Sequence, residues 1–145
     1  PFVLRPGSYC PFNSQNTSWH SEAFVYLYLP MFVRFRFTDI LRSYVAQRGV
    51  WALGGRLAFG NASVVQYRNE HDLLADFADE IDCYTRIEDV AACLDACRLV
   101  GDANRDIVTM YEALADIDVV EFREVDAVKQ WVQDVGDART ASVPK

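Results

Sequence analysis

At Arg68 the chain changes character, and that step limits what it can fold into. Up to that residue seven arginines face only two acids, Glu22 and Asp39; beyond it seven basic side chains face nineteen acidic ones. The texture changes at the same place. Before the step, aromatic residues are interleaved with Gly, Pro, Asn and Ser. After it, apolar residues recur at helical spacing with acids between them. The pattern predicts an α+β chain, with short strands in an irregular first half and a predominantly helical region behind it. We divide it into an amide- and arginine-rich segment, 1–86, and an acidic helical region, 87–145, packed on it.

The chain has 145 residues, enough to bury a core, and its 51% hydrophobic and 24% charged residues exclude a disordered tail. No apolar run approaches the roughly 20 residues a membrane helix needs; Ala23–Phe37 is interrupted by Pro30, Arg34 and Arg36. No methionine precedes Met31, so the chain reads as a piece of a longer protein and the lack of a leader carries no weight. The net charge of -7 predicts no nucleic-acid partner. The first half uses arginine and no lysine, and its planar donors suit an anion.

Turn residues crowd Pro1–Ser18, which reads as a site-forming loop. Ser21 starts a short helix that ends before Pro30. Met31–Phe37 alternates, with Arg34 and Arg36 on the polar face, and reads as a strand. Thr38 caps a helix that Asp39 opens and Gly54-Gly55 closes. Arg56–Phe59 and Ser63–Tyr67 read as strands. Helices follow near His71–Tyr84, Ile87–Leu99, Ala103–Ala115 and Val125–Val135, punctuated by Gly101-Asp102 and Gly136. Asp116–Phe122 reads as a further strand, and Thr140–Lys145 frays.

Among the chemical signals, Cys10, Cys83, Cys93 and Cys97 lack zinc-ligand spacing and read as small buried hydrophobes. His20 and His71 stand in no nucleophile or metal context. Asp116-Ile117-Asp118 spells D-x-D, but it precedes its strand, whereas a metal site belongs at a strand's C-terminal end. No metal ligands are assigned. Two sequons, at Asn16 and Asn61, permit glycosylation in a secretory compartment.

One constellation carries more chemistry. Asn13, Gln15 and Asn16 offer donors and acceptors together, which suits sugar hydroxyls, and Tyr9, Trp19 and Trp51 offer apolar faces. Asp39 stands at a helix start, where negative charge is favoured, and a carboxylate there can take a proton from an attacking hydroxyl. The plainer account is a helix-start acid paired with Arg42 three residues on.

Pro11–Thr17 (PFNSQNT), Phe35–Arg48 (FRFTDILRSYVAQR) and Gln66–Asn69 (QYRN) together resemble the STELLO-type family of glycosyltransferases over roughly Tyr9–Tyr84. A fainter likeness is to plant UDP-arabinopyranose mutases. The STELLO resemblance implies a nucleotide-sugar-dependent GT-A type domain, of which this chain would be the second half. It implies a UDP-sugar donor, a glycan acceptor, a divalent manganese ion and a Golgi-lumenal setting. Carried over residue by residue, Asp39 is the candidate catalytic carboxylate and Asn13, Gln15 and Asn16 a substrate-contacting loop. Arg34, Arg36, Arg42, Gln47 and Arg68 are supporting or phosphate-side groups. The competing expectation is a non-catalytic scaffold, with an arginine-rich anion site and an acidic face that docks a protein partner.

Overall fold

In a computed structural model, residues 1–67, 70 and 72–141 are described. They form β1 (Phe2–Val3), a 3₁₀ helix (Ser21–Leu27), a shorter one (Phe35–Phe37), α1 (Thr38–Ala52) and β2 (Ala58–Phe59). Then come α2 (Leu73–Thr85), α3 (Ile87–Ala96), α4 (Ala103–Asp116) and α5 (Phe122–Ala141). The two strands pair antiparallel, Phe2 opposite Phe59, so the described residues are mostly helical with one small sheet. That is compatible with an α+β chain.

Helix α1 runs through the middle, packed by the first 3₁₀ helix, α3 and α4. Leu41 and Val45 from α1 meet Val90 and Leu94 from α3, Ile107, Met110 and Leu114 from α4 and Val128 from α5, all almost fully buried. The caps follow local chemistry. Asp72 accepts from the Leu74 and Ala75 N–H groups to start α2, and Asp102 from those of Asn104 and Arg105 to start α4. Gly54, at φ +79, closes α1 where a left-handed residue is needed.

Met31–Phe37 is not a strand. A strand needs a neighbouring backbone, but the Met31 and Phe32 N–H groups donate instead to the buried Glu124 carboxylate, at 2.9 and 2.8 Å. The segment bends and then tightens into the short 3₁₀ helix, which feeds directly into α1. Thr38 therefore does not cap; its hydroxyl donates back to the Arg34 carbonyl at 3.3 Å. Ser63–Tyr67 is no strand either, and Val64, Val65 and Tyr67 are exposed. Asp116–Phe122 is a turn. Asp118 adopts φ 55, and the Val119 N–H closes back onto the Leu114 carbonyl, which ends α4 with the αL geometry Asp tolerates. Gly136 does not break α5, which continues to Ala141.

Candidate functional site

The site is built on α1 and the loop that crosses it. Gln47 is buried and spans the two: its side-chain carbonyl accepts from the Cys10 N–H, and its amide donates to the Cys10 and Ser43 carbonyls, each at 2.9 Å. This fixes the start of the Tyr9–Trp19 loop, and Tyr9 stacks on Tyr44 at 5.0 Å. Gln47 thus holds the loop and is already committed.

Arg42, one turn earlier, is 3% exposed and lies beneath the loop's aromatic residues. Its guanidinium carbon is 5.8 Å from the Phe12 ring centre and 5.3 Å from that of Trp19. Burial presses its pKa below the usual arginine range, opposed by the nearby Asp39 charge. Its Nε and Nη2 have no hydrogen-bond partner among the described residues. Asp39 is half-buried in the first turn of α1. Among the described residues no ion pair within 4.0 Å holds its carboxylate, and no hydrogen bond joins it to Asn13, Gln15 or Asn16. The simple Asp39–Arg42 pair is not made.

On the far side of Phe12 and Trp19 opens a groove of about 290 Å³. Ala23, Ala46 and Val50 help to floor it, and Ser18, His20, Glu22 and Arg56 contribute polar groups. The amide loop shapes its edge: Thr17 lines the groove and donates to the Asn13 carbonyl, while the Asn13 side chain accepts from the Gln15 N–H. Asn16 reaches across to Ser63 at 3.2 Å. Asn13, Gln15 and Asn16 are all exposed. Sequence reasoning named Trp19 as an apolar face but missed His20, Glu22 and Arg56 as groove residues. Their chain positions are 20, 22 and 56, and no spacing signals that they converge.

The arginines do not converge on one anion site among the described residues. Arg34 donates to the Ala78 carbonyl at 2.7 Å and faces Asp82 at 3.3 Å. Arg36 pairs with Asp76 and with Glu80. Both thus engage α2, while Arg42 is buried under Trp19. Arg68 lies outside the described residues, as do Asn69, His71 and 142–145.

A divalent ion does not fit what is described. Among those residues no group of three or more His, Cys, Asp or Glu side chains is placed to hold one. The carboxylates of Asp76 and Glu80 converge on Arg36, whose charge already satisfies them. Nor is any described helix long and apolar enough to cross a membrane.

The site is thus a central helix crossed by a pinned aromatic loop, with a small groove beside it and a half-buried acid at its start. Residues 36–139 match the family of STELLO glycosyltransferases, and the chain belongs to that family. Over 85 residues it is 36% identical to the Arabidopsis thaliana protein named probable glycosyltransferase STELLO2, covering 59% of this chain and 11% of that one. Over 56 residues it is 46% identical to probable glycosyltransferase STELLO1 of the same plant, covering 39% of this chain and 7% of the relative. The chain thus spans about a tenth or less of the length of these relatives.

Proposed function

We propose that this chain is the acceptor-side part of a nucleotide-sugar-dependent glycosyltransferase, the second half of a GT-A-like domain, with 1–86 forming the site and 87–145 supporting it. Membership of a glycosyltransferase family is the observation that carries the reading. It supports a nucleotide sugar and a glycan acceptor as the substrates. In the step proposed here, an acceptor hydroxyl oxygen bonds to the sugar's anomeric carbon as the bond to the nucleotide's phosphate oxygen breaks. The hydroxyl proton passes to Asp39, and the nucleoside diphosphate leaves. Asp39 suits that role because it stands in the first turn of α1 and no ion pair among the described residues occupies its carboxylate. A UDP donor, manganese and a Golgi-lumenal setting belong to the same reading, with donor and metal held by residues other than those described.

The test is Asp39→Asn in the intact polypeptide, assayed for transfer from UDP-sugars. A lost general base lowers the rate by about 10²–10⁴-fold, whereas loss of a helix-start charge costs about 0.3–1 kcal/mol of stability. Retained transfer with lowered stability would make Asp39 structural.

A second reading, a scaffold that docks a protein partner, is favoured by one observation. Helix α2 buries none of its residues and leaves Leu73, Leu74, Phe77, Ile81 and Tyr84 exposed. Transfer activity that survives replacement of Asp39, combined with partner binding lost on replacing Phe77, would favour it.

A further inference from the structure

We propose that the groove beside Trp19 binds an inner sugar of a neutral glycan chain, away from the hydroxyl that reacts, so that the acceptor is an oligosaccharide or polysaccharide rather than a single sugar. The proposal rests on the reading of Asp39 as proton acceptor, and four observations carry it.

Size comes first. At about 290 Å³ the groove stands at the small end of ligand pockets, which run to about 1,000 Å³. That is room for sugar rings and too little for a whole nucleotide sugar.

The lining comes second. A pyranose has apolar C–H faces and a girdle of hydroxyls. The groove offers the aromatic faces of Phe12 and Trp19 and apolar Ala23, Ala46 and Val50 to the former. Ser18, His20, Glu22 and Arg56 offer donors and acceptors to the latter. Glu22 and Arg56 oppose each other in sign, so the lining selects neither an anionic nor a cationic ligand.

Third, the aromatic wall is fixed before any ligand arrives. Phe12 and Trp19 sit 5.9 Å apart, with the buried Arg42 guanidinium behind both and Gln47 anchoring the loop at Cys10. A wall already held in place loses little freedom on binding. Arg42 is a positioning residue in this account.

Fourth, Asp39, Ala46 and Val50 recur at i, i+7 and i+11, so they share one face of α1. Asp39 and Ala46 are seven residues apart, about 10 Å along the helix at 1.5 Å per residue. That exceeds the width of one pyranose ring. Asp39 does not line the groove, so a sugar seated over Ala46 and Val50 is not the unit whose hydroxyl meets Asp39.

The experiment is a titration of this chain with neutral ladders of glucose, mannose and galactose units, from monosaccharide to tetrasaccharide. It is followed by NMR through the Trp indole N–H signals. Binding should tighten from monosaccharide to oligosaccharide in at least one ladder and move the Trp19 signal. Trp19→Ala should weaken it at least about tenfold. Glu22→Gln, at an exposed position, removes an acceptor charge without disturbing the core and should weaken it too, so the proposal stays testable should Trp19→Ala unfold. No shift at Trp19 with any ladder, affinity equal for monosaccharide and tetrasaccharide, or binding unchanged in both variants would each overturn it. No donor is present in this titration, so it reads the groove alone. Failure of the Asp39→Asn transfer test would instead remove the catalytic reading and leave the groove's binding result standing.

Discussion

The Tyr28 hydroxyl donates to the Glu124 carboxylate inside the core, joining the end of the first 3₁₀ helix to α5 across 96 residues of chain. Glu124 is fully buried, and among the described residues no basic side chain pairs with it; hydrogen-bond donors alone meet its carboxylate there. The Met31 and Phe32 N–H groups supply two more, so one carboxylate replaces the sheet neighbour that this segment lacks.

Glu124→Ala should therefore lower stability by about 2–4 kcal/mol, because it removes the acceptor of one buried and two partly buried donors at once. Glu124→Gln should cost less, since its carbonyl oxygen still accepts while its NH₂ group opposes a donor. Denaturant unfolding measures both. A loss below about 1 kcal/mol for Glu124→Ala would show that the donors find other partners.

Gly49 passes so close to Tyr26 that a Cβ there would run into the ring. In an open helix Gly→Ala stabilises by about 1 kcal/mol. Here the sign should reverse, with overpacking costing about 1–3 kcal/mol. Tyr26→Phe should be near neutral, since the buried Tyr26 hydroxyl has no partner among the described residues. Melting temperatures of the two variants decide this, and a stabilised Gly49→Ala would show that the Tyr26 ring can move aside.

The helices were legible because their signals are local: apolar spacing, the Gly101-Asp102 punctuation, and Gly54 as a stop. Met31–Phe37 was misread because its alternation is genuine, yet the acceptor that decides its backbone is Glu124, far along the chain and invisible to any local pattern. Arg34 and Arg36 read as the polar face of that strand, but their partners sit on α2, and no rule of spacing joins the two. Within the candidate site Trp19 lines the groove, whereas Tyr9 and Trp51, read as further apolar faces, pack on each other and do not line it. Gln47 was not legible as an internal clamp, since an amide reads alike whether it meets a ligand or the Cys10 backbone.

Helix α2 has no buried residue, and Arg34 and Arg36 tie it to the rest through partly exposed charged contacts. Such pairs contribute only about 0.2–1 kcal/mol each and weaken with salt. Arg36→Gln, or a rise in salt, should speed amide exchange in α2 while leaving the global melting temperature almost unchanged. Hydrogen exchange read by segment is the check, and equal protection of α2 in wild type and variant would mean that apolar contacts such as Cys83 against the core hold it.

Alkaline pH probes the interior through groups that must stay neutral there. Burial, reinforced by the neighbouring Cys93, pushes the Cys97 thiol up to about 11. Burial, then the hydrogen bond to Glu124 and its charge, raises the Tyr28 phenol. Burial, then the Glu124 charge, raises Tyr111. In each case the folded state holds its proton more tightly than the unfolded chain. The contribution to stability is therefore complete below the unfolded values, near 9 for Cys and 10 for Tyr, and is lost as pH climbs toward the folded ones. The melting temperature should hold steady up to about pH 9 and fall steadily between about 9 and 11, with thiolate absorbance from Cys97 appearing late in that window. Glu124→Gln removes the charge that helps to raise both phenols, so the tyrosine part of the fall should begin from a smaller offset and be shallower in that variant. A wild-type melting temperature that stays flat across the whole window would mean that these groups meet water in the folded state, and the packing around Glu124 would then be looser than its three donors imply.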